Sequence, residues 1–445
     1  MRDILVVGMV LAGALMALRR PWVGVMVWVW ISIMNPHRYT YGFAYNAPLA
    51  QIAALALLGG LLFNARERES PFKGPPMVWL VVFVVWITLS WMFGLGPEGD
   101  YPQWIKVMKI MLMIILGMCV LRTKLHIFAL AWVTTLSMAL LGAKGGYFTL
   151  ATGGDNRVWG PEGSFIADNN EFALACVMTI PLLRFLQMQL TPGWRRHVMT
   201  LLMVLCVGSA LGSHSRGSFL ALLAMGLMLW WRGRSRFVGA IMIFGIGAAM
   251  IGFMPETWTM RMESIDGYAE DTSAQGRFSA WWNAWGIAKN YPFGVGMVAA
   301  RHELFAQYSP VYARTGTVHA AHSIYFQVMG NHGLIGLFIF LGIWVSTWRA
   351  AAWLRTHARQ QAESMWAADL GAMIQVALVG YLVGGAFLSL SYFDLPYNIM
   401  MLAVLAAVWV RTRAWEREPV YAHGWKTIPG LATPLGPHHA ATALR

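Results

Sequence analysis

The chain has 445 residues, 58% of them hydrophobic and 12% charged, with a mean hydropathy of +0.53. That excludes a water-soluble domain of this size, which would have far too few polar residues to cover its apolar surface. The net charge of +13 does not indicate nucleic acid, because the basic residues concentrate in alternate connections between apolar runs, as cytoplasmic loops of membrane proteins do.

Two short apolar stretches, 4–18 and 22–34, open the chain and are separated by Arg19, Arg20 and Pro21. No small-residue cleavage site follows the first, so it is read as a retained helix. Runs long enough to cross hydrocarbon follow at 48–63, 76–94, 103–121, 125–142, 170–188, 197–213, 218–231, 237–254, 322–346, 367–389 and 396–411. The expected fold is an all-α polytopic integral membrane protein of about twelve to thirteen transmembrane helices. Residues 1–417 read as a single helical domain that includes a large external loop, 255–321, serving as a partly helical lid; 418–445 reads as a flexible cytoplasmic tail.

Basic connections alternate without a break: Arg66, Arg68 and Lys73; Arg122 and Lys124; Arg195 and Arg196; Arg232, Arg234 and Arg236; Arg349, Arg355 and Arg359; Arg411, Arg413 and Arg417. They define the cytoplasmic side. The loops at 143–169, 213–217, 255–321 and 389–396 then face outward. Cys119, Cys176 and Cys206 all lie in apolar runs, so neither a disulfide framework nor a zinc spacing is present.

Arginines on the outer face defy the inside bias and are functional candidates for that reason. Arg157 lies in RVWGPEGSFIADNNEFAL, Arg216 in SHSRGSFLAL and Arg277 in SAQGRFSAWWNAW; Arg261, Arg301 and Arg314 share the long loop. A lone external arginine more often snorkels to headgroups or pairs with a loop carboxylate. Arg216 differs, because the two runs flanking it leave almost no loop, which directs its side chain between helices. Guanidinium groups bind phosphate oxygens two at a time and stay charged at any working pH, so the set suits a pyrophosphate at the membrane surface. Lys106 and Lys109, three residues apart on one helical face, either extend this basic surface or snorkel outward. The segment 279–290, SAWWNAWGIAKN, is amphipathic enough to lie along the membrane.

His322 opens HSIYFQVMGNHGLIG, where the long loop enters a membrane run. Positions 322, 326, 329, 333 and 336 form one helical stripe whose glycines allow another helix to approach closely. An imidazole at its outer end suits a general base for a hydroxyl at neutral pH. Spacing alone leaves His319, His302, His332 and His214 as rivals. Asp168 and Glu171 precede the apolar run FALACVMTIPLL, a pattern that fits either a capping box or the acidic half of a metal site. The arginines are numerous enough to replace a metal, and no metal or other cofactor is expected.

These residues resemble the O-antigen ligase family, whose members carry a histidine, a small polar residue, nine positions and then two glycines three apart. Here they are His322, Ser323, the nine residues to His332, Gly333 and Gly336. Ser215-Arg216-Gly217 is similar to the family's external arginine turn. Arg277, followed by Pro292, Gly294 and Gly296, is similar in placement to its second essential arginine. The stretch from Arg157 to Glu171 resembles a further family segment. NPHRYTYGFAYNAPLAQIAA is more similar to exosortase-associated O-glycosylation ligases.

The resemblance implies a GT-C-like glycosyltransferase of the bacterial inner membrane with its active site facing the periplasm. Such an enzyme transfers a glycan from undecaprenyl pyrophosphate to a hydroxyl of the lipid A-core oligosaccharide. His322 would be the base, Arg216 and Arg277 would join it in catalysis, and Arg157, Arg216, Arg277, Arg301, Ser323 and His319 would bind substrate. O-antigen polymerases and some protein O-oligosaccharyltransferases share this donor. A lipid-linked glycan transporter, whose external arginines would line a translocation path, is the alternative from another class.

Overall fold

The structure, a computed structural model, describes residues 1–64, 68–232, 245 and 272–418. Its regular elements are all helical, with no strand among the described residues. In chain order they are α1 (Arg2–Arg19), α2 (Pro21–Met34), α3 (Leu49–Phe63), α4 (Pro75–Met92), α5 (Pro97–Val120), α6 (Lys124–Ala151), α7 (Asn169–Met188), α8 (Trp194–Gly212), α9 (Arg216–Arg232), α10 (Thr272–Asn290), α11 (His302–Tyr308), α12 (Tyr312–Thr315), α13 (Ile324–His357), α14 (Met365–Gly384) and α15 (Asp394–Arg411). Among the described residues seven of these, α4 to α7 and α13 to α15, are long and apolar enough to cross a membrane, while α2 and α3 are shorter apolar helices. This architecture fits a polytopic membrane protein. The expected run at 237–254, Arg261, most of the first part of the long loop and the tail beyond 418 lie outside the described residues.

The bundle has a basic end and a site end. At the basic end Glu69 pairs with Lys73 at 2.7 Å and with Arg122 at 3.9 Å. There Lys73 Nζ also donates to the Leu121 carbonyl, and the Lys124 amide donates to Glu418. Three of the positively charged connections read from the sequence, those of Lys73, of Arg122 and Lys124, and of Arg417, therefore meet in space as well as in parity.

At the site end, α6 runs nine residues beyond the expected boundary at 142 and shortens the loop to 152–168. Lys144 lowers the hydropathy there, but it stays exposed and its ammonium lies 4.3 Å from the centre of the Tyr39 ring, which adds to the stabilisation of the charge. Gly146 lets α8 approach so closely that a Cβ would sit 2.1 Å from the Leu205 carbonyl oxygen.

The expected continuous helix from 322 is bent instead. Gly333 takes φ 70° and ψ −177°, a conformation only glycine adopts without strain. The bend exposes the Asn331 carbonyl, which accepts hydrogen bonds from the Val295 and Gly296 amides. The Asn331 side chain accepts from the Ala299 amide and donates to the Met297 carbonyl. One broken helical turn thus anchors the end of the long loop, satisfying the backbone groups the kink frees.

From that anchor α10 lies along the first half of α13. Trp281 stacks on Phe326 at 4.8 Å and donates to the Ala321 carbonyl. Ala284 and Ala288 bury against Met329, while Trp282 and Trp285 remain exposed. The helix has the two-faced character read from 279–290, and its small-residue face holds it on α13.

Candidate functional site

Four segments converge at the site end: the start of α13, α10, the start of α7 and the turn between α8 and α9. His322 is half-buried and takes φ 42°, left-handed for a non-glycine residue, at a strain of about 1–3 kcal/mol. The bend it makes turns the chain from the lid into α13. Ser323 occupies the N-cap position, and its hydroxyl oxygen is buried without a hydrogen-bond partner among the described residues.

Gly276 seats α10 against the lid's return strand of chain. A Cβ there would lie 2.8 Å from His319 Nδ1, so only glycine permits this approach, and the next residue, Arg277, is delivered beside His322. Burial lowers the His322 pKa from its ordinary value, Arg277 and His319 push the same way, and Asp168 opposes them. The neutral, proton-accepting imidazole is favoured at neutral pH. His319 donates to or accepts from Thr317 at 2.9 Å. With Phe326, Gln327, Asn331 and Ser389 it lines a cavity of about 240 Å³.

Asp168 caps α7, its side chain accepting from the Asn170 amide at 2.9 Å. Glu171 does not complete a capping box. Its carboxyl lies against that of Asp168, and one of its oxygens is buried without a hydrogen-bond partner among the described residues. Burial opposes ionisation of Asp168, but the hydrogen bonds from Glu171 and Asn170, with the charge of His322, hold its pKa below the ordinary carboxylate value. The sequence reading treated this pair as a cap or a metal ligand and missed its facing His322. That the charge of Asp168 acts on His322 is not readable from spacing. Among the described residues no three His, Cys, Asp or Glu side chains form a metal-holding group.

Arg216 begins α9, and the turn before it is tied to α7. Asn169 donates to the Ser213 carbonyl at 2.6 Å and Ser218 to the Asn170 carbonyl at 3.4 Å. Gly217 lies against Phe387, with room for a Cβ only at 3.2 Å. Arg157 reaches the same turn, because the Val158 amide donates to the Gly212 carbonyl. The structure thereby brings Arg157, Arg216, Arg277, His319, His322 and Ser323 to neighbouring segments.

Arg301 is the exception. Its guanidinium pairs with Asp100 at 2.8 Å and donates to the Val298 carbonyl, while the other Asp100 oxygen accepts from the Met297 amide. The pair fastens the lid to α5, a structural part for Arg301 beside the substrate contact expected of it.

The rival histidines also have other partners. His332 is fully buried between Ser90 and the Tyr392 hydroxyl. His214 bonds to the Gly154 carbonyl and His302 to the Tyr312 hydroxyl. His322 is left with no such hydrogen bond among the described residues and with Arg277 and Asp168 as its charged neighbours.

Residues 201–341 match the family described as O-Antigen ligase. The matched segment is about a third of the chain and contains Arg216, Arg277, His319, His322 and Ser323, and its likeness to that family supports a role in ligating or polymerising glycans. Residues 1–191, which contain Arg157, Asp168 and Glu171, match a family of unknown function (DUF5935). No curated protein matches the chain. The candidate residues thus fall in both matched segments, Arg157, Asp168 and Glu171 in the first and His322 in the second.

Proposed function

We propose that the protein is an O-antigen ligase of the bacterial inner membrane, transferring a glycan from undecaprenyl pyrophosphate to a hydroxyl of lipid A-core oligosaccharide at the periplasmic face. The observation that carries this reading is His322, half-buried in a left-handed turn where the lid enters α13, with Arg277 and Asp168 as its charged neighbours, inside the segment that matches the O-antigen ligase family. His322 takes the proton of the acceptor hydroxyl as that oxygen attacks the anomeric carbon. The bond to the pyrophosphate oxygen breaks, and Arg216, Arg277 and Arg157 stabilise the charge that develops there. Asp168 stabilises the imidazolium formed in the step. A single displacement inverts the anomeric configuration. Arginines supply the positive charge in this scheme, which needs no metal.

Purified, EDTA-treated protein given an undecaprenyl pyrophosphate glycan and lipid A-core should place glycan on the core. Longer lipid-linked chains without use of the core would identify a polymerase. No product with either, together with movement of labelled donor across a sealed bilayer, would support the transporter.

A further inference from the structure

Part of the loop 157–168, residues 163–166, walls a groove of about 610 Å³ between α2, the start of α3, α5 and the start of α15. One part is apolar, walled by Trp28, Ile31 and Ile110, with Leu55 and Leu112 68% and 42% exposed along its edge. The other part carries Arg38, Lys106 and Lys109. Lys106 lies 4.0 Å from the centre of the Phe165 ring and Arg38 4.8 Å from that of Tyr45; none of the three cations is in an ion pair among the described residues. The groove's one carboxylate, Asp394, is buried and accepts from Ser32; Glu162, near the rim, accepts from Tyr45.

Three cations beside an apolar channel, with one buried carboxylate, Asp394, that attracts Lys106 without an ion pair among the described residues, leave a net positive charge that matches a lipid bearing phosphate. Gly163, with φ 73°, brings the loop against the Arg38 guanidinium, and Ser164, Phe165 and Ile166 complete the groove wall. The same short loop begins at Arg157 and ends at Asp168, so the groove and the reaction centre share one wall. The groove lies almost wholly within residues 1–191, outside the O-antigen ligase domain.

We propose that this groove binds the phosphorylated lipid anchor of the acceptor, with phosphate on Lys106, Lys109 and Arg38 and an acyl chain along the Ile31 and Leu55 wall. The inference rests on the transferase reading above for calling that lipid the acceptor. The donor's pyrophosphate is already matched by Arg157, Arg216 and Arg277, and a transfer between two lipid-anchored substrates needs a second anionic site in the same leaflet. From the groove, the acceptor's sugars reach His322 by passing the 157–168 loop.

The test uses full-length protein in nanodiscs, with phosphorylated lipid A-core, its phosphatase-treated form and phosphatidylglycerol as probes. Binding is read by native mass spectrometry without donor, and transfer kinetics are read separately. Lys106→Gln with Lys109→Gln should weaken binding of the phosphorylated acceptor and raise its KM on the order of tenfold or more, leaving donor KM and kcat at saturating acceptor unchanged. Leu55→Trp, which fills the apolar part and keeps every charge, should raise acceptor KM in the same way and guards against misfolding of the lysine variant. Equal binding of the dephosphorylated form, equal competition by phosphatidylglycerol, or a rise in donor KM alone would overturn the proposal. Binding that depends on phosphate and the lysines, in a wild-type protein that performs no transfer, would uphold the groove and reject the transferase reading.

Discussion

In the proposed mechanism one imidazole takes the proton, its pKa lowered first by burial and then shifted in opposite directions by Arg277 and Asp168. Because His322 has a lowered pKa, kcat/KM for transfer should rise with pH, reach half its plateau below about 6.5 and stay flat above. Arg277→Gln removes a group that lowers this pKa, so the midpoint should move up while the rate falls on the order of 10²-fold. Asp168→Asn removes the group that raises it, so the midpoint should move down. Opposite displacements in a pH profile check the pairing; movement in one direction for both variants contradicts it. Arg301→Ala should instead lower thermal stability by about 1–3 kcal/mol and leave kcat unchanged, because it breaks the partly buried pair with Asp100. The candidate arginines and His322 stand out in the sequence because charge on the outer face of an apolar chain is conspicuous. The division of labour between Arg277 and Arg301 does not, since both lie in the same loop and only the fold shows that a carboxylate on α5 claims one of them.

At the scale of elements, apolar runs located the helices well, because length and hydropathy are the property a bilayer selects. They could not show the bend in α13. Asn331, His332 and Gly333 sit in a run that remains apolar overall, and the bend depends on a distant loop supplying donors to the Asn331 carbonyl. The reach of α6 to Ala151 was hidden for a similar reason, Lys144 being compensated by an aromatic ring far away in sequence. Gly333→Ala places a Cβ 2.4 Å from the Pro292 carbonyl oxygen at φ 70°. It should destabilise the protein by at least about 1–3 kcal/mol and lower transfer, because the loop anchored there positions α10 and Arg277. Thermal unfolding and kcat should fall together; an unchanged melting temperature would show that the bend is not held as described.

For the whole molecule, the basic end and the site end lie at opposite ends of the same helices, and the reading places the first in the cytoplasm. Thr317 is exposed at the site end and Gln361 is exposed at the basic end. In a chain whose native cysteines are replaced, Thr317→Cys should react with a membrane-impermeant thiol reagent in intact spheroplasts. Gln361→Cys should react only after permeabilisation, and the reverse pattern would invert the topology. The central claim, that His322 removes the acceptor's proton while arginines elsewhere hold the donor, is tested most directly by comparing His322→Ala with wild type under single-turnover conditions, with donor affinity measured on the same preparations. Transfer reduced on the order of 10²–10⁴-fold, with donor affinity changed by no more than a few-fold, is the result expected. Near wild-type transfer, or a loss accounted for entirely by donor binding, would contradict it.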